Sequence, residues 1–177
     1  MKVSIIVAMT ADGYIGRTGD HLSTEWTNKD DKYLFAKYIK AANNMVMGLN
    51  TFLTTAKKYP TVFNKSMPGR RLFVYTHRPE AVAEYENVEA VSEPPAVLIA
   101  RLEGEGVKEL AVCGGTQVYT LFMKAGVVDD VYVDVQATVF GSGVTLFNEP
   151  LNAAITLQET KRIGDNNFLL HYKVEKA

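Results

Sequence analysis

"KELAVCGGTQVY", residues 108–119, runs an apolar stretch into two adjacent glycines and then resumes in a helix-forming pattern. Glycine inside regular structure costs roughly 0.5–1 kcal/mol relative to alanine. A pair at the carboxyl end of a buried strand therefore implies that another group comes close to the backbone there. In an open parallel sheet, ligands bind beyond the carboxyl ends of the strands. A helix that begins there presents free N–H groups and the positive end of its dipole. Gly114 and Gly115 would admit a pyrophosphate, and Thr116 would add a hydroxyl. A tight turn with no ligand explains the dipeptide equally well by itself. The G-x-G-x-x-G fingerprint of an ordinary dinucleotide fold does not occur.

Outward from this turn the chain alternates strand and helix, which argues for a largely parallel sheet. Val3 to Met9 is nearly continuous in apolar residues, as a strand covered on both faces requires. "TADGYIGRTGDHLSTEW" (10–26) reads as a long functional loop. Residues 28–42 read as a helix, with Thr27 or Asn28 as its cap and Asp30 and Asp31 in the first turn. "NMVMG" (44–48) is a short buried strand, and a second helix follows from about Asn50 to Lys58. "YPTVFNKSMPGR" (59–70) is a loop and "RLFVYT" (71–76) a strand. "NVEAV" (87–91) reads as a short strand, Pro95 to Leu102 as a helix opened by proline, and Thr116 to Ala125 as a helix. "VDDVYVDVQATV" (128–139), "AITLQETKRI" (154–163) and "NNFLLHYKVEKA" (166–177) lie close together and imply antiparallel strands closing one edge.

The 177 residues suit a single domain spanning 1–177, with an apolar share of 47% and a charged share of 22%, as in an ordinary globular protein. A net charge of −1 without a basic block argues against nucleic acid or an anionic membrane as partner. Cys113 is the only cysteine, and His21, His77 and His171 show no ligand spacing, so no metal site is expected. The amino-terminal apolar run ends after about seven residues, short for a secretory core or a membrane span. It reads as a first strand, and a cytoplasmic location is expected.

The helix at 28–42 carries a second signal. Its apolar stripe runs through Leu34, Phe35, Tyr38, Ile39 and Ala42. Extending it back one turn lands on Asp31, while Asp30 falls off it. One carboxylate thus points to the buried side, where its pKa would rise. The alternative is that both aspartates only complement the helix dipole.

Together these pieces resemble the dihydrofolate reductase superfamily, which includes the reductase domain of riboflavin biosynthesis. The resemblance covers nearly the whole chain. It rests on "AMTADGYIG" (8–16), the spacing of Trp26, Asp31 and Phe35, "VMGLNTF" (46–52), "PGRRLFVYT" (68–76) and "VCGGTQVY" (112–119), in that order. It implies a three-layer α/β/α fold, with a mostly parallel central sheet and an antiparallel C-terminal edge. It also implies an NADPH-dependent oxidoreductase, a monomer or homodimer, acting on a pterin or pyrimidine. By that resemblance, Asp31 holds the substrate and favours its protonation, with water as immediate donor and Trp26 as the loop's catalytic tryptophan. Ile6, Ala8, Phe35, Arg70 and Asp134 complete the substrate site. Ala8, Ile15, Gly16, Gly48, Asn50 and Thr51 would contact the cofactor, with Cys113, Gly114, Gly115, Thr116, Gln117, Val118 and Tyr119. Thr76, His77 and Arg78 would surround its 2′-phosphate.

Several positions depart from the family pattern. Leu49 stands where folate enzymes commonly place a phosphate-binding arginine, so Arg78, or Lys57 and Lys58, would have to compensate. Lys32 replaces an apolar contact, and Asp134 occupies the place of a threonine that hydrogen-bonds the acid. Dihydrofolate reduction is the first functional expectation, supported by Arg70 as a fork for the glutamate carboxylate. A riboflavin-pathway reductase of a ribosylaminopyrimidine phosphate is the alternative, which Lys32 would serve. A non-catalytic nucleotide-binding module is the third.

Overall fold

A computed structural model of the chain describes residues 1–63 and 70–176. Its first segment runs β1 (Lys2–Thr10), β2 (Tyr14–Gly16), α1 (Lys29–Ala42), β3 (Asn44–Gly48) and α2 (Leu49–Lys58). The middle adds β4 (Arg71–Tyr75), β5 (Val88–Val91), α3 (Pro95–Gly104), β6 (Glu109–Val112) and α4 (Thr116–Lys124). The last part holds β7 (Asp130–Gln136), β8 (Val144–Thr145), β9 (Ile155–Ile163) and β10 (Asn167–Val174).

Eight strands form one sheet in the order β5-β4-β3-β6-β1-β7-β10-β9. The pairs from β5 through β7 are parallel, and β10 and β9 run antiparallel at the end. The mostly parallel sheet and its antiparallel edge are those the sequence implied. The parity of β1 shows how the layers arise. Val3, Ile5 and Val7 pack with Leu98, Leu102, Val118 and Phe122, on the α3 and α4 side. Ile6 packs on the opposite face with Ile39, Ala42 and Phe52, from α1 and α2. A strand covered on both faces has no polar alternation, which is why 3–9 reads as one apolar run.

Local signals set the element ends. Asn28 caps α1, its Oδ1 accepting from the backbone N–H groups of Asp30 and Asp31 at 3.0 Å each. Asn43 closes the helix in the left-handed region at φ 57°, its N–H donating to Ile39 O, so the chain turns directly into β3. The β2–β8 ribbon, a separate two-stranded pairing, is absent from the sequence reading. Its tight approach depends on Gly143 at φ +157°, where an added Cβ would collide with Gly16 O. Among the described residues, no helix is long and apolar enough to cross a membrane.

Candidate active site

β1, β3 and β6 run parallel, and beyond their carboxyl ends opens a cleft of about 990 Å³. Two glycine turns form its floor. Gly48 N–H donates to Gly114 O at 2.8 Å, and Cys113 N–H to Val46 O at 2.9 Å, so the ends of β3 and β6 are stitched together. Gly114 has φ +116°, a conformation that favours glycine, and Gly114–Gly115 is a cis peptide. An added Cβ on Gly115 would meet Thr51 Oγ1 at 3.2 Å, and one on Gly48 would meet Val118 Cγ2 at the same distance. Helices α2 and α4 start at Gly48 and Gly115, neither with a side-chain cap. In α4, Val118 N–H already turns back to Gly115 O at 3.0 Å, and the N–H groups before it lie ahead of the first intrahelical bonds. Two uncapped, positive helix ends beside backbone without side chains fit a pyrophosphate.

The cofactor residues implied by the sequence mostly gather here. Ala8, Ile15, Gly16, Gly48, Asn50 and Thr51 line the cleft, as do all seven from Cys113 to Tyr119. Thr76 and His77 line a second recess of about 430 Å³, which shares Tyr75 and Leu121 with the cleft. Arg78 sits exposed beside it, its N–H donating to Thr76 Oγ1 at 2.9 Å. Lys58 is engaged by Glu25. Leu49 is buried at the cleft wall and offers no charge.

Ile6, Ala8, Asp31, Phe35 and Arg70, the residues expected from sequence to meet the substrate, also line the cleft, together with Lys32. Phe35, part of the apolar stripe in sequence, is 37% exposed because it faces the cleft instead of the core. Pro68 and Gly69 of the "PGR" motif lie outside the described residues. Asp31 is only 7% exposed, as the stripe implied, and Asp134 only 3%. The two carboxyls are neighbours, each influencing the other's ionisation. Parallel pairing of β1 and β7 sets Asp134 opposite Ala8, which brings it behind the cleft instead of into its lining.

Desolvation raises both pKa values. Asp31 goes up by burial, opposed by Thr27, by Asp134 and by the charge of Lys32. Asp134 is pushed up to about 7 by burial and the Asp31 charge, opposed by hydrogen bonds from Asn167 and Gln136. Such values belong to the pair as a unit. Thr27 Oγ1 is buried without a hydrogen-bond partner, and its nearness to Asp31 favours the charged form of that carboxyl. Tyr119 donates its hydroxyl to Ile6 O at 3.0 Å, and burial raises its pKa. Desolvation also raises the Cys113 thiol, which donates to Ala111 O, consistent with a packing side chain.

Trp26 is not brought into the cleft lining. Its ring packs edge-on against Phe140 at 5.2 Å, where His21 and Arg17 also meet Phe140. That cluster ties the 10–26 loop to the 138–145 segment, as do Asp12's bonds from the N–H groups of Phe140 and Gly141. Sequence reasoning missed Asn167 and Gln136, which hold Asp134. Gln136 ends β7 and Asn167 begins β10, both inside the sheet, and a polar residue at a strand end carries no sequence signal of a buried partner. Among the described residues, no three His, Cys, Asp or Glu side chains converge as metal ligands.

Comparison with known proteins adds three relatives. The uncharacterized protein YwjB of Bacillus subtilis (strain 168) is 25% identical over 179 residues, covering 97% of both chains. A Shewanella sp. PV-4 protein described under riboflavin biosynthesis has a TM-score of 0.79 at 22% identity, over 99% of both chains. A diaminohydroxyphosphoribosylaminopyrimidine deaminase/5-amino-6-(5-phosphoribosylamino)uracil reductase from Thermotoga maritima has a TM-score of 0.70 at 17% identity. That match covers 98% of this chain and 56% of the longer protein. The RibD C-terminal domain model matches residues 1–169, and the chain belongs to that family.

Proposed function

We propose that this chain is an NADPH-dependent reductase of a phosphoribosylaminopyrimidine of the riboflavin-pathway type. One observation carries the reading: a single cleft joins the two uncapped helix ends at Gly48 and Gly115 to the buried carboxyl of Asp31. When bound, the nicotinamide supplies a hydride. The first turns of α2 and α4 would hold its pyrophosphate, with Thr51 and Thr116 adding hydroxyls. His77 and Arg78 would face the 2′-phosphate and select NADPH over NADH. Ile6, Ala8 and Phe35 would enclose the substrate ring. Asp31 would take its polar edge.

Lys32 favours the pyrimidine phosphate over dihydrofolate, the first expectation from sequence. In the folate enzymes this chain resembles, an apolar substrate contact usually follows the acid. This chain sets an ammonium there, and Lys32 and Arg70 both line the cleft. Two cations suit a phosphate. The family assignment supports the same choice.

The test is nicotinamide oxidation by the purified protein, with the phosphoribosylaminopyrimidine or dihydrofolate as acceptor. Turnover of the pyrimidine, weakened by Lys32→Ala through KM, is expected. Turnover of dihydrofolate alone would restore the folate reading. NADPH binding with neither turnover would mark a non-catalytic module.

A further inference from the structure

The carboxyl pair is braced by amides whose orientation the backbone decides. Asn28 Oδ1 accepts from two backbone N–H groups, so its Nδ2 is the end that donates to Asn167 Oδ1, at 3.1 Å. Asn167 must then present Nδ2 to Asp134, and it donates to Oδ1 at 2.8 Å and to Oδ2 at 3.0 Å. Gln136 Nε2 donates to Oδ2 at 2.8 Å. None of these amides titrates. Asp31, buried like Asp134, is then the neighbouring group that titrates, and it alone of the two lines the cleft.

We propose that Asp31 and Asp134, positioned by Asn28, Gln136 and Asn167, store one proton between them and deliver it through Asp31 to the substrate. Two close carboxyls removed from water cannot both ionise cheaply, so the second proton stays on the pair near neutral pH. Lys32 acts on Asp31 from the next position of α1, and Thr27 from the preceding loop. Tyr119 faces Asp31 and Cys113 from α4, with burial disfavouring ionisation of either hydroxyl or thiol. The stored proton replaces water as the immediate donor. This deepens the proposed reductase reading and rests on it for the acceptor. As hydride adds to the carbon of a C=N or C=O bond, the π electron pair moves to the heteroatom. The heteroatom forms its N–H or O–H bond while the carboxylic O–H bond breaks, and solvent later reprotonates the pair. The substrates selected are thus neutral at the reduced bond, since these need a proton as well as a hydride.

The storage claim is tested on ligand-free protein, by ¹³C NMR titration of aspartate carboxyl carbons. Two carbons should titrate together with a step near neutrality, and Asp134→Asn should abolish that step. Two independent carboxyls in the ordinary range, or a neutral step surviving in Asp134→Asn, would overturn the proposal. Asn28→Asp keeps the helix cap but cannot donate to Asn167, so it separates positioning from folding. It should shift the step with the fold intact, and an unmoved step would remove Asn28 from the device. Delivery is read from rates. With an active acceptor, kcat should fall as pH rises through the same midpoint, and Asp134→Thr should lower kcat at least about tenfold with KM little changed. A pH profile identical in Asp134→Thr and wild type would refute delivery. An intact NMR step with no turnover of any acceptor would instead refute the reductase reading while supporting the store.

Discussion

Replacing Asp134 with asparagine should reverse part of the protein's pH dependence of stability. The wild-type carboxyl is raised from an ordinary 3.8 to about 7 in the folded state. The folded chain therefore holds this proton more tightly than the unfolded one between those values. Stability from this group is fully present below the unfolded value and is lost as pH rises through about 7. Integrating the difference between about pH 5 and about pH 8 gives a loss of about 2 to 3 kcal/mol. The substituted amide cannot titrate. Its Oδ1 can accept from Asn167, and its Nδ2 can donate to an ionised Asp31 and, once the Gln136 amide turns over to present Oε1, to Gln136 as well, so the site stays satisfied. Urea unfolding across this range should show wild type losing about 2 to 3 kcal/mol more than Asp134→Asn, with equal m-values. Parallel stability curves for the two proteins would refute the reasoning, because the carboxyls would then not be coupled or not desolvated.

Other perturbations follow from the same geometry. Gly115→Ala places a Cβ 3.2 Å from Thr51 Oγ1 on the cleft floor and should weaken NADPH binding at least about tenfold by calorimetry, whereas Gly104→Ala, with open space around it and away from the cleft lining, should leave it unchanged. Arg78→Ala should narrow the preference for NADPH over NADH, read as the ratio of their Kd values, by about tenfold, the loss of one charge-assisted contact. Tyr119→Phe removes the 3.0 Å bond to Ile6 O and should cost about 1 to 3 kcal/mol in denaturant unfolding, since a buried carbonyl loses its donor.

Much of this molecule was legible in its sequence because burial leaves periodic traces. The continuous run 3–9 marked a doubly covered strand, and Val3, Ile5 and Ile6 indeed face two different layers. Asp31 could be placed by helical spacing alone, since a carboxylate three and four residues before apolar neighbours has to share their face. Gly114 and Gly115 announced the cleft floor through their cost. What stayed hidden depends on pairing between distant segments. The β2–β8 ribbon joins three residues to two, too short to leave any period, and hinges on one glycine torsion. Phe140 draws Trp26 aside, across more than a hundred residues, and no local pattern foretells that contact. Asn167 falls within the strand read over 166–177, but only the register of β10 against β7 sets it where it can hold Asp134.

The sharpest test of the account combines binding and turnover in one variant. Asp31→Asn keeps the side-chain volume and leaves the glycine floor untouched. NADPH should bind it as it binds wild type, while reduction of the phosphoribosylaminopyrimidine falls by at least about a hundredfold. Undiminished turnover in Asp31→Asn would contradict the claim that the cofactor turn and the buried carboxyl serve one reaction.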